Sequence, residues 1–303
     1  MTILRAGTRG SQLAWTQSGQ ALELLAAAVP GATFERVRIE TRGDKDQHTP
    51  LSVLPGTGLF VKELESALVR GEIDLAIHSL KDVPFETAPG CQLFYLERED
   101  PRDALISPHA SLEALPEGAL VGTGSPRRIA QLKAARPDLR FQDLRGNLET
   151  RLRRLDAGEY DAIVLACAGL SRLGWEDKIR QRIDPGTCVP AFGQGILALE
   201  CRGDRPDVAE ILRKAEDPDA RLAAETERTL MKALGGGCKT ALAALAEPAG
   251  NDVRLRAVVG DHHTGRLCRR EWTGPREDAA TEAHRMARDL RQEATALGFF
   301  PVG

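Results

Sequence analysis

The chain repeats a short pattern in which a strand, a glycine-containing turn and a helix follow one another. Residues 3–14 read ILRAGTRGSQLA, and residues 119–132 read ALVGTGSPRRIAQL. Later in each copy, residues 68–77 and 155–165 pass from a helix through a glycine into an apolar run. Apolar runs of this length beside helical segments are typical of buried parallel strands. The repeats therefore predict two similar α/β lobes, although short strand–glycine–helix patterns also recur by chance.

The remaining segments predict a discontinuous first lobe and a third module. A polar stretch around Pro101 joins the two repeats, and a strand-like run at residues 192–202 is expected to return the chain to the first lobe. Asp219 then caps a helix, three strand-like runs follow, and a last helix covers about residues 276–297. A cleft between the lobes is the expected ligand site. The predicted domains are residues 1–97 with 196–215, residues 102–191, and residues 218–303.

Composition excludes several functional classes. A net charge of −3 and an aromatic content of 4% argue against a general polyanion binder and against stacking of single-stranded nucleic acid. The six cysteines are scattered without metal-ligand spacing, so we expect no structural metal site. The N-terminal residues lack the apolar region of a signal peptide, and no apolar run is long enough to span a bilayer. These features predict a cytoplasmic protein with reduced thiols.

Charged residues follow the apolar strand that begins at Ile73. Residues 73–84 read IDLAIHSLKDVP, so Ser79, Lys81 and Asp82 stand just beyond a predicted strand end. Ligands of open α/β sheets bind at such carboxyl ends. The segment is therefore a candidate site, with an ordinary charged surface loop as the alternative.

Arginines follow most of the other predicted strands. Between residues 125 and 154 there are nine basic and three acidic residues. Ser125 and Pro126 predict a helix start, so Arg127 and Arg128 lie in a first helical turn, where cations oppose the helix dipole and favour a bound anion. Arginine binds carboxylates through two parallel hydrogen bonds. The arginines expected to meet in one cleft are Arg9, Arg127, Arg128, Arg145, Arg151 and Arg172.

Two further observations narrow the ligand. No nucleotide-binding motif is complete, so dispersed carboxylates suit the separate arginines better than a compact triphosphate does. Three glycines precede Cys238, and Lys239 beside it favours the thiolate. Cys238 is therefore either a helix-end structural cysteine or an attachment point for a cofactor.

Many ordered segments resemble the porphobilinogen deaminase (hydroxymethylbilane synthase) family along nearly the whole chain. The matching segments are TRGS 8–11, TRGD 41–44, GLFVKELE 58–65, HSLKDVP 78–84, EREDPRDA 97–104, GTGSPRR 122–128, LRGN 144–147, TRL 150–152, LDAGEYDAI 155–163, AGLSRLG 168–174, PAFGQG 190–195 and GGC 236–238.

The resemblance implies a fold class and a reaction. The fold is α/β with two periplasmic-binding-protein-like lobes separated by a cleft, plus a C-terminal α+β domain with a three-stranded antiparallel sheet. The implied activity is that of a cytoplasmic, monomeric transferase of porphyrin (heme) biosynthesis, which binds neither nucleic acid nor membranes. It joins four porphobilinogen molecules head to tail with release of ammonia and gives linear 1-hydroxymethylbilane. One dipyrromethane cofactor, bound covalently through Cys238, serves as primer.

The resemblance also implies residue roles. Asp82 is the catalytic carboxylate, which stabilises positive charge at the pyrrole nitrogen and moves a proton. Asp44 and Phe60 belong to a lid, where Val53 and Thr57 replace frequent lysines; Ala241 replaces a frequent proline after the cysteine. The residues implied to bind substrate or cofactor carboxylates are Arg9, Ser11, Ser79, Lys81, Ser125, Arg127, Arg128, Arg145, Asn147, Arg151, Arg172 and Gln194.

Two other readings remain open on the residues alone. A two-lobed, non-catalytic polycarboxylate binder would explain the arginines but not Asp82 or the glycine-rich cysteine loop. A nucleic-acid binder would use the basic stretch from residue 125 to residue 154, against the low aromatic content.

Overall fold

The computed structural model describes residues 3–41, 43, 58, 60–235 and 241–299. The first elements are β1 (Ile3–Arg9), α1 (Gln12–Ala28), β2 (Thr33–Ile39), α2 (Lys62–Val69), β3 (Leu75–Ser79) and β4 (Cys91–Tyr95). The middle elements are β5 (Asp103–Ile106), β6 (Leu120–Gly122), α3 (Pro126–Ala135), β7 (Arg140–Gln142), α4 (Leu148–Asp156), β8 (Ala162–Ala166), α5 (Cys167–Arg172) and β9 (Gln181–Ile183). The last elements are β10 (Leu197–Arg202), α6 (Pro206–Lys214), α7 (Pro218–Leu234), β11 (Ala241–Ala249), β12 (Asp252–Gly260), β13 (Leu267–Pro275) and α8 (Ala279–Ala296).

The first compact unit contains the described residues up to 99 and from 195 to 221. Its sheet has the order β2-β1-β3-β10-β4, in which β1 runs parallel to β2 and β3, and β10 runs antiparallel to β3 and β4. The predicted return of the chain to this lobe is thus confirmed by β10. Leu25 of α1 and Leu212 of α6 pack with the sheet residues Leu75 and Leu199 in one buried core.

The second unit contains residues 100–194 and the described residues from 222 onward. Its first sheet has the order β7-β6-β8-β5-β9, with β6 parallel to β7 and β8, and β5 antiparallel to β8 and β9. The strand order therefore repeats that of the first unit: three parallel strands and then an antiparallel fourth. The prediction of two similar α/β lobes is confirmed.

A separate antiparallel sheet of β11, β12 and β13 occupies the C-terminal part and packs against α8 and α3. This confirms the predicted three-stranded module, but it belongs to the same compact unit as the second sheet. The division into three domains stays a prediction. Among the described residues, no helix combines the length and the apolar character needed to cross a bilayer.

Two predicted helix starts are corrected by the structure. Helix α7 begins at Pro218, and its first turn is capped by Asp217, whose Oδ1 accepts from the Ala220 N–H at 2.6 Å, rather than by Asp219. The last helix begins at Ala279 because the preceding residues 276–278 form a tighter 3₁₀ turn. Both differences are shifts within one turn of the chain, where helix ends are hardest to predict.

The carboxylate of Asp74 fastens β1 and the start of α6 to the beginning of β3. Its oxygens accept hydrogen bonds from the Arg5 N–H at 2.9 Å, from Arg5 Nε at 3.1 Å and from Arg205 Nη1 at 2.9 Å. Burial alone would raise the pKa of Asp74, but these hydrogen bonds outweigh it and lower the pKa from 3.8 to about 2.

We expect Asp74→Asn to remove stability that depends on pH. Because the pKa of Asp74 is lowered by folding, its contribution is present above about pH 4 and is lost as the pH falls toward 2. Urea unfolding at a series of pH values measures this directly. The difference in unfolding free energy between wild type and Asp74→Asn should decrease as the pH falls from about 4 toward 2. Glu210→Gln, in an exposed pair with Lys214, is the control and should show little difference. If the difference in unfolding free energy between wild type and Asp74→Asn does not change with pH, the lowered pKa of Asp74 is contradicted.

Candidate active site

In the first unit, the carboxyl ends of β1 and β3 lie side by side. The two strands are parallel neighbours, with Gly7 opposite Ala76, so Arg9 at the end of β1 lies beside the chain that leaves β3. Ser79 ends β3, and the next three residues form a 3₁₀ turn that places Lys81 and Asp82 at the rim, both half-buried. The sequence prediction that these charges follow a buried parallel strand is confirmed.

Arg9 contacts both Asp82 and the aromatic ring of Phe60 at this edge. Its Nη1 is 3.7 Å from Asp82 Oδ2, and its guanidinium carbon is 4.0 Å from the centre of the Phe60 ring. The Asp82 side chain keeps 32% of its surface exposed, so its oxygens can accept hydrogen bonds from a ligand. A methyl group added at Gly43 would overlap the Phe60 ring, which explains the glycine at that position. Asp44, the other predicted lid residue, lies outside the described residues.

A buried pair directly precedes this edge and was missed by sequence reasoning. His78 Nε2 lies 2.9 Å from Glu200 Oε2, and the two side chains are 3% and 0% exposed. His78 belongs to β3 and Glu200 to the antiparallel β10, so the pair joins the two strands one residue before Ser79. Buried polar groups are costly without a hydrogen-bond partner, and this contact therefore stabilises the strand end that carries Lys81 and Asp82.

In the second unit, the basic residues collect at one edge of the sheet. Strands β6, β7 and β8 are parallel neighbours, and each ends at this edge. Strand β5 is antiparallel to β8 with Asp103 opposite Ala166, so β5 begins where the others end. The residues that follow these strand ends are Arg127 and Arg128 after β6, Arg145, Asn147 and Arg151 after β7, and Arg172 after β8.

Asp103 is the centre of a buried hydrogen-bond network with two arginines. Its carboxylate accepts from Arg127 Nη1 at 2.6 Å and from Arg128 Nη2 at 2.7 Å, and Arg128 Nε adds a further bond at 3.0 Å. Arg127 also donates to the Val189 carbonyl and Arg128 to the Val164 carbonyl, each at 2.8 Å. Asp103 is fully buried, and the two arginines are only 6% and 8% exposed.

The electrostatics of this network leave positive charge in excess. Burial would raise the pKa of Asp103, but the charges of Arg127 and Arg128 outweigh it and hold that pKa far below its usual value. Burial would likewise lower the pKa of Arg127, and Asp103 outweighs it. One carboxylate therefore faces two guanidinium groups, a charge balance that favours a further anion nearby.

The prediction that Arg127 and Arg128 bind ligand carboxylates is therefore incomplete. Their helix start and first-turn position are confirmed, since Ser125 caps α3 with Pro126 as its first residue. No internal partner for them was predicted from the sequence, whereas both bind Asp103. Any contact with a ligand uses the donors that Asp103 does not engage, and that role stays a prediction.

The remaining predicted arginines reach the edge in different ways. Arg145 is half-buried, and its Nη1 is fully enclosed without a hydrogen-bond partner among the described residues. Arg151 donates from Nε to the Gly146 carbonyl at 2.9 Å, where the positive φ of 104° at Gly146 turns the backbone into α4. Arg172 ends α5 and is 7% exposed.

Three of the predicted neutral binding residues are helix caps. Ser11 accepts from the Ala14 N–H at 3.3 Å, Ser125 from Arg128 at 3.5 Å, and Asn147 from Thr150 at 2.8 Å. Their oxygens thus satisfy backbone donors. Hydrogen bonds to a ligand would come from their own hydroxyl or amide donors.

Gln194 belongs to the hydrogen-bond network around Asp103. Its Nε2 donates to Asp103 Oδ1 at 3.0 Å and to the Pro101 carbonyl at 2.6 Å, and the residue is 1% exposed. The neighbouring Gly193 N–H donates to Glu227 Oε2 at 2.6 Å, which links this segment to α7. Cys238, the predicted attachment point, lies outside the described residues.

Asp103 is the main residue that sequence reasoning missed. It lies in the segment from 97 to 104, for which the polar, proline-containing pattern predicts a joint between lobes. The available signal was charge balance: two buried arginines in one turn require a carboxylate, and an aspartate opens the strand that follows Pro101.

Comparison with known proteins places the chain in a family. Residues 4–210 match the family model described as porphobilinogen deaminase, dipyrromethane cofactor binding domain, and residues 221–295 match the porphobilinogen deaminase C-terminal domain. Porphobilinogen deaminase of Xanthomonas axonopodis pv. citri is 47% identical over 298 residues, covering 98% of both chains. That of Syntrophomonas wolfei is 43% identical over 300 residues, covering 98% of this chain and 97% of the other.

Solved structures give more distant matches. The LysR family transcriptional regulator CbnR is 15% identical with a TM-score of 0.44, covering 71% of this chain and 70% of that one. The periplasmic VFT2 domain of Bordetella pertussis BvgS is 18% identical with a TM-score of 0.39, covering 70% and 86%. The two family models together span nearly all of the chain, and the chain belongs to the porphobilinogen deaminase family.

Proposed function

We propose that the protein is a hydroxymethylbilane synthase, which joins four porphobilinogen molecules head to tail, releases ammonia and forms linear 1-hydroxymethylbilane. Family membership along nearly the whole chain supports this reaction. The observation in the structure that carries the proposal is the cationic strand edge around Asp103. Porphobilinogen has an acetate and a propionate on its ring, so a growing pyrrole chain is a series of carboxylates.

The residues of the second unit fit a dipyrromethane cofactor. The buried Nη1 of Arg145 lacks a partner among the described residues, and the Asp103 network has one more cation than anion. A ligand carboxylate would accept a hydrogen bond from Arg145 Nη1, and its negative charge would balance the extra cation of the Asp103 network. Bound dipyrromethane supplies the nucleophilic pyrrole carbon to which the first substrate is joined. The side chains proposed to hold its carboxylates are Arg127, Arg128, Arg145, Arg151 and Arg172, with Ser125, Asn147 and Gln194 as neutral or supporting partners.

The first unit is proposed to bind and activate the incoming porphobilinogen. Arg9 and Lys81 provide cations at the strand edge for its carboxylates, and Ser79 and Ser11 provide hydroxyl groups. Each charge-assisted hydrogen bond contributes about 1.5–3 kcal/mol. Losing any single contact should therefore weaken substrate binding without abolishing it.

Asp82 is proposed to act on the pyrrole nitrogen. When the aminomethyl group of porphobilinogen leaves as ammonia, the positive charge that develops on the methylene carbon spreads to the ring nitrogen. A carboxylate that accepts a hydrogen bond from the ring N–H stabilises this charge, and it can also take up the proton that the attacking pyrrole carbon loses when the new bond forms and pass it to a later leaving amine. Asp82 suits both tasks because its carboxylate is partly exposed while Arg9, 3.7 Å away, holds its orientation.

Purified protein given porphobilinogen tests the reaction itself. We expect ammonia and a linear tetrapyrrole in a ratio of four to one, with the tetrapyrrole losing water in acid to close to a uroporphyrinogen, which added iodine then oxidises to a coloured uroporphyrin. A non-catalytic polycarboxylate binder would bind porphobilinogen without releasing ammonia, and that outcome would refute the proposal.

Cys238→Ser should yield protein without the cofactor. All five described cysteines have thiol pKa values raised by burial, to about 11 or 12, so those thiols stay protonated and poorly nucleophilic at neutral pH. This leaves Cys238 as the proposed attachment point. Intact mass should exceed the sequence mass by one dipyrromethane in wild type and in the control Cys91→Ser, but not in Cys238→Ser. Active wild type with an unmodified mass would rule out the covalent cofactor.

The monomeric state and cytoplasmic location implied by the resemblance stay predictions.

A further inference from the structure

The hairpin turn between β12 and β13 carries metal-ligating side chains that the reaction does not use. Residues 260–265 read GDHHTG. One donor atom from each of Asp261, His262 and His263 can be chosen so that all lie within 4.8 Å of one another. The two imidazole rings have centroids 4.0 Å apart, and His263 is exposed while the other two residues are half-buried. The cluster therefore faces solvent on one side.

We propose that this turn is a binding site for a divalent transition metal of the Zn²⁺, Co²⁺ and Ni²⁺ class, with Asp261, His262 and His263 as ligands. Imidazole nitrogen suits these ions, and a carboxylate oxygen completes a three-ligand set. At Zn–N distances of about 2.0–2.1 Å, tetrahedral donors lie roughly 3.3 Å apart. Side-chain rotations in an exposed turn can bring the three donors to that separation. The fourth position is open to water.

The turn is already held in a shape that presents these ligands. Asp261 accepts from Gly265 through its backbone carbonyl at 2.8 Å, and its Oδ1 accepts from the His263 N–H at 2.9 Å. Thr264 Oγ1 donates to Asp261 Oδ2 at 2.5 Å, a position typical of the outer partners that orient a ligating carboxylate. The carboxylate still has lone pairs for a metal after these bonds.

Two cations limit the affinity of the site. Lys133 Nζ donates to the His263 carbonyl at 2.6 Å and anchors the turn to α3, and Arg266 Nη2 lies 4.0 Å from Asp261 Oδ2. Their charges oppose a divalent ion. We therefore expect a readily exchanged metal and not a permanently bound structural ion.

Titration of the full-length protein with Zn²⁺ alone, followed by calorimetry in a non-chelating reductant, tests the site. Wild type and the control His284→Asn, which alters an exposed histidine of α8, should bind one equivalent with the same affinity. His262→Asn and His263→Asn should each lose that binding. Thr264→Val should weaken it by about tenfold, the lower end of the effect of an outer-shell partner.

Cobalt distinguishes this turn from the cysteines. Co²⁺ bound through two imidazoles and a carboxylate absorbs in the visible range without a thiolate-to-metal band in the near ultraviolet. A thiolate band, uptake that is equal in wild type and the His262→Asn/His263→Asn double variant, or no uptake by wild type would each overturn the proposal. Unchanged thermal unfolding of the variants without metal would show that lost binding does not reflect misfolding.

Discussion

Asp82→Asn should remain folded and lose turnover by about 10²–10⁴-fold, the usual worth of a general acid–base group. The amide has nearly the same shape and keeps one acceptor oxygen, but it cannot hold a negative charge against the developing pyrrole cation. The side chain is 32% exposed and its ion pair with Arg9 is long, at 3.7 Å, so the cost in stability should be under about 1 kcal/mol.

Turnover of Asp82→Asn must be expressed per molecule that carries the cofactor. The same chemistry assembles dipyrromethane from porphobilinogen, so we expect the variant to hold it poorly, and intact mass gives the loaded fraction. Asp82→Glu restores the negative charge but moves it by the length of one methylene group. Its turnover should lie between that of wild type and that of Asp82→Asn. A loaded Asp82→Asn protein with the wild-type rate would remove Asp82 from the mechanism.

The two similar α/β lobes could be predicted because their strands and helices depend on local pattern. Apolar runs such as residues 162–166, each preceded by a helix and a glycine, appear twice in the same order, and each became a parallel strand. Ser11, Ser125 and Asn147 were recognisable as caps because an N-cap needs only the next three residues of the chain.

The buried partners could not be predicted because they lie far apart in sequence. His78 and Glu200 are 122 positions apart, and Asp103 meets Arg128 only because β5 runs antiparallel beside β8. Hydrophobic periodicity and helix-capping patterns contain no information on which residues of different strands will contact one another. The helix start at Pro218 was displaced because Asp217 and Asp219 could each serve as the cap, and the start at Ala279 was displaced because residues 276–278 form a 3₁₀ turn.

Both sheets place a fully buried carboxylate on the fourth, antiparallel strand. In the first unit this is Glu200 on β10, paired with His78; in the second it is Asp103 on β5, paired with Arg127 and Arg128. In each case the partner lies on, or directly after, a parallel strand that leads to the ligand edge. We infer that these carboxylates are positioning residues, which hold the strand ends and the cations in place before a ligand arrives.

Asp103→Asn should therefore be the most destabilising substitution at the site. Removing the negative charge leaves two guanidinium groups buried without a counter-charge, and breaking such a pair costs about 3–5 kcal/mol. The new amide N–H₂ would also face arginine donors. Urea unfolding measures the loss, with Asp138→Asn, in a more exposed pair with Arg136, as the control. A change below about 1 kcal/mol would show that the network is not stabilising.

Arg127→Gln separates the ligand role of this network from its structural role. The Asp103–Arg128 pair remains as a neutral pair, and a glutamine N–H₂ can still donate to Asp103, so we expect a smaller loss of stability than in Asp103→Asn. The excess positive charge is removed, however, and with it a charge-assisted contact worth about 1.5–3 kcal/mol. The proposed role in holding the cofactor's carboxylates then predicts that the ratio of cofactor-loaded to unloaded protein, measured by intact mass, falls by about tenfold or more. If Arg127 serves only to balance Asp103, the variant will lose stability while the ratio of loaded to unloaded protein stays at the wild-type value.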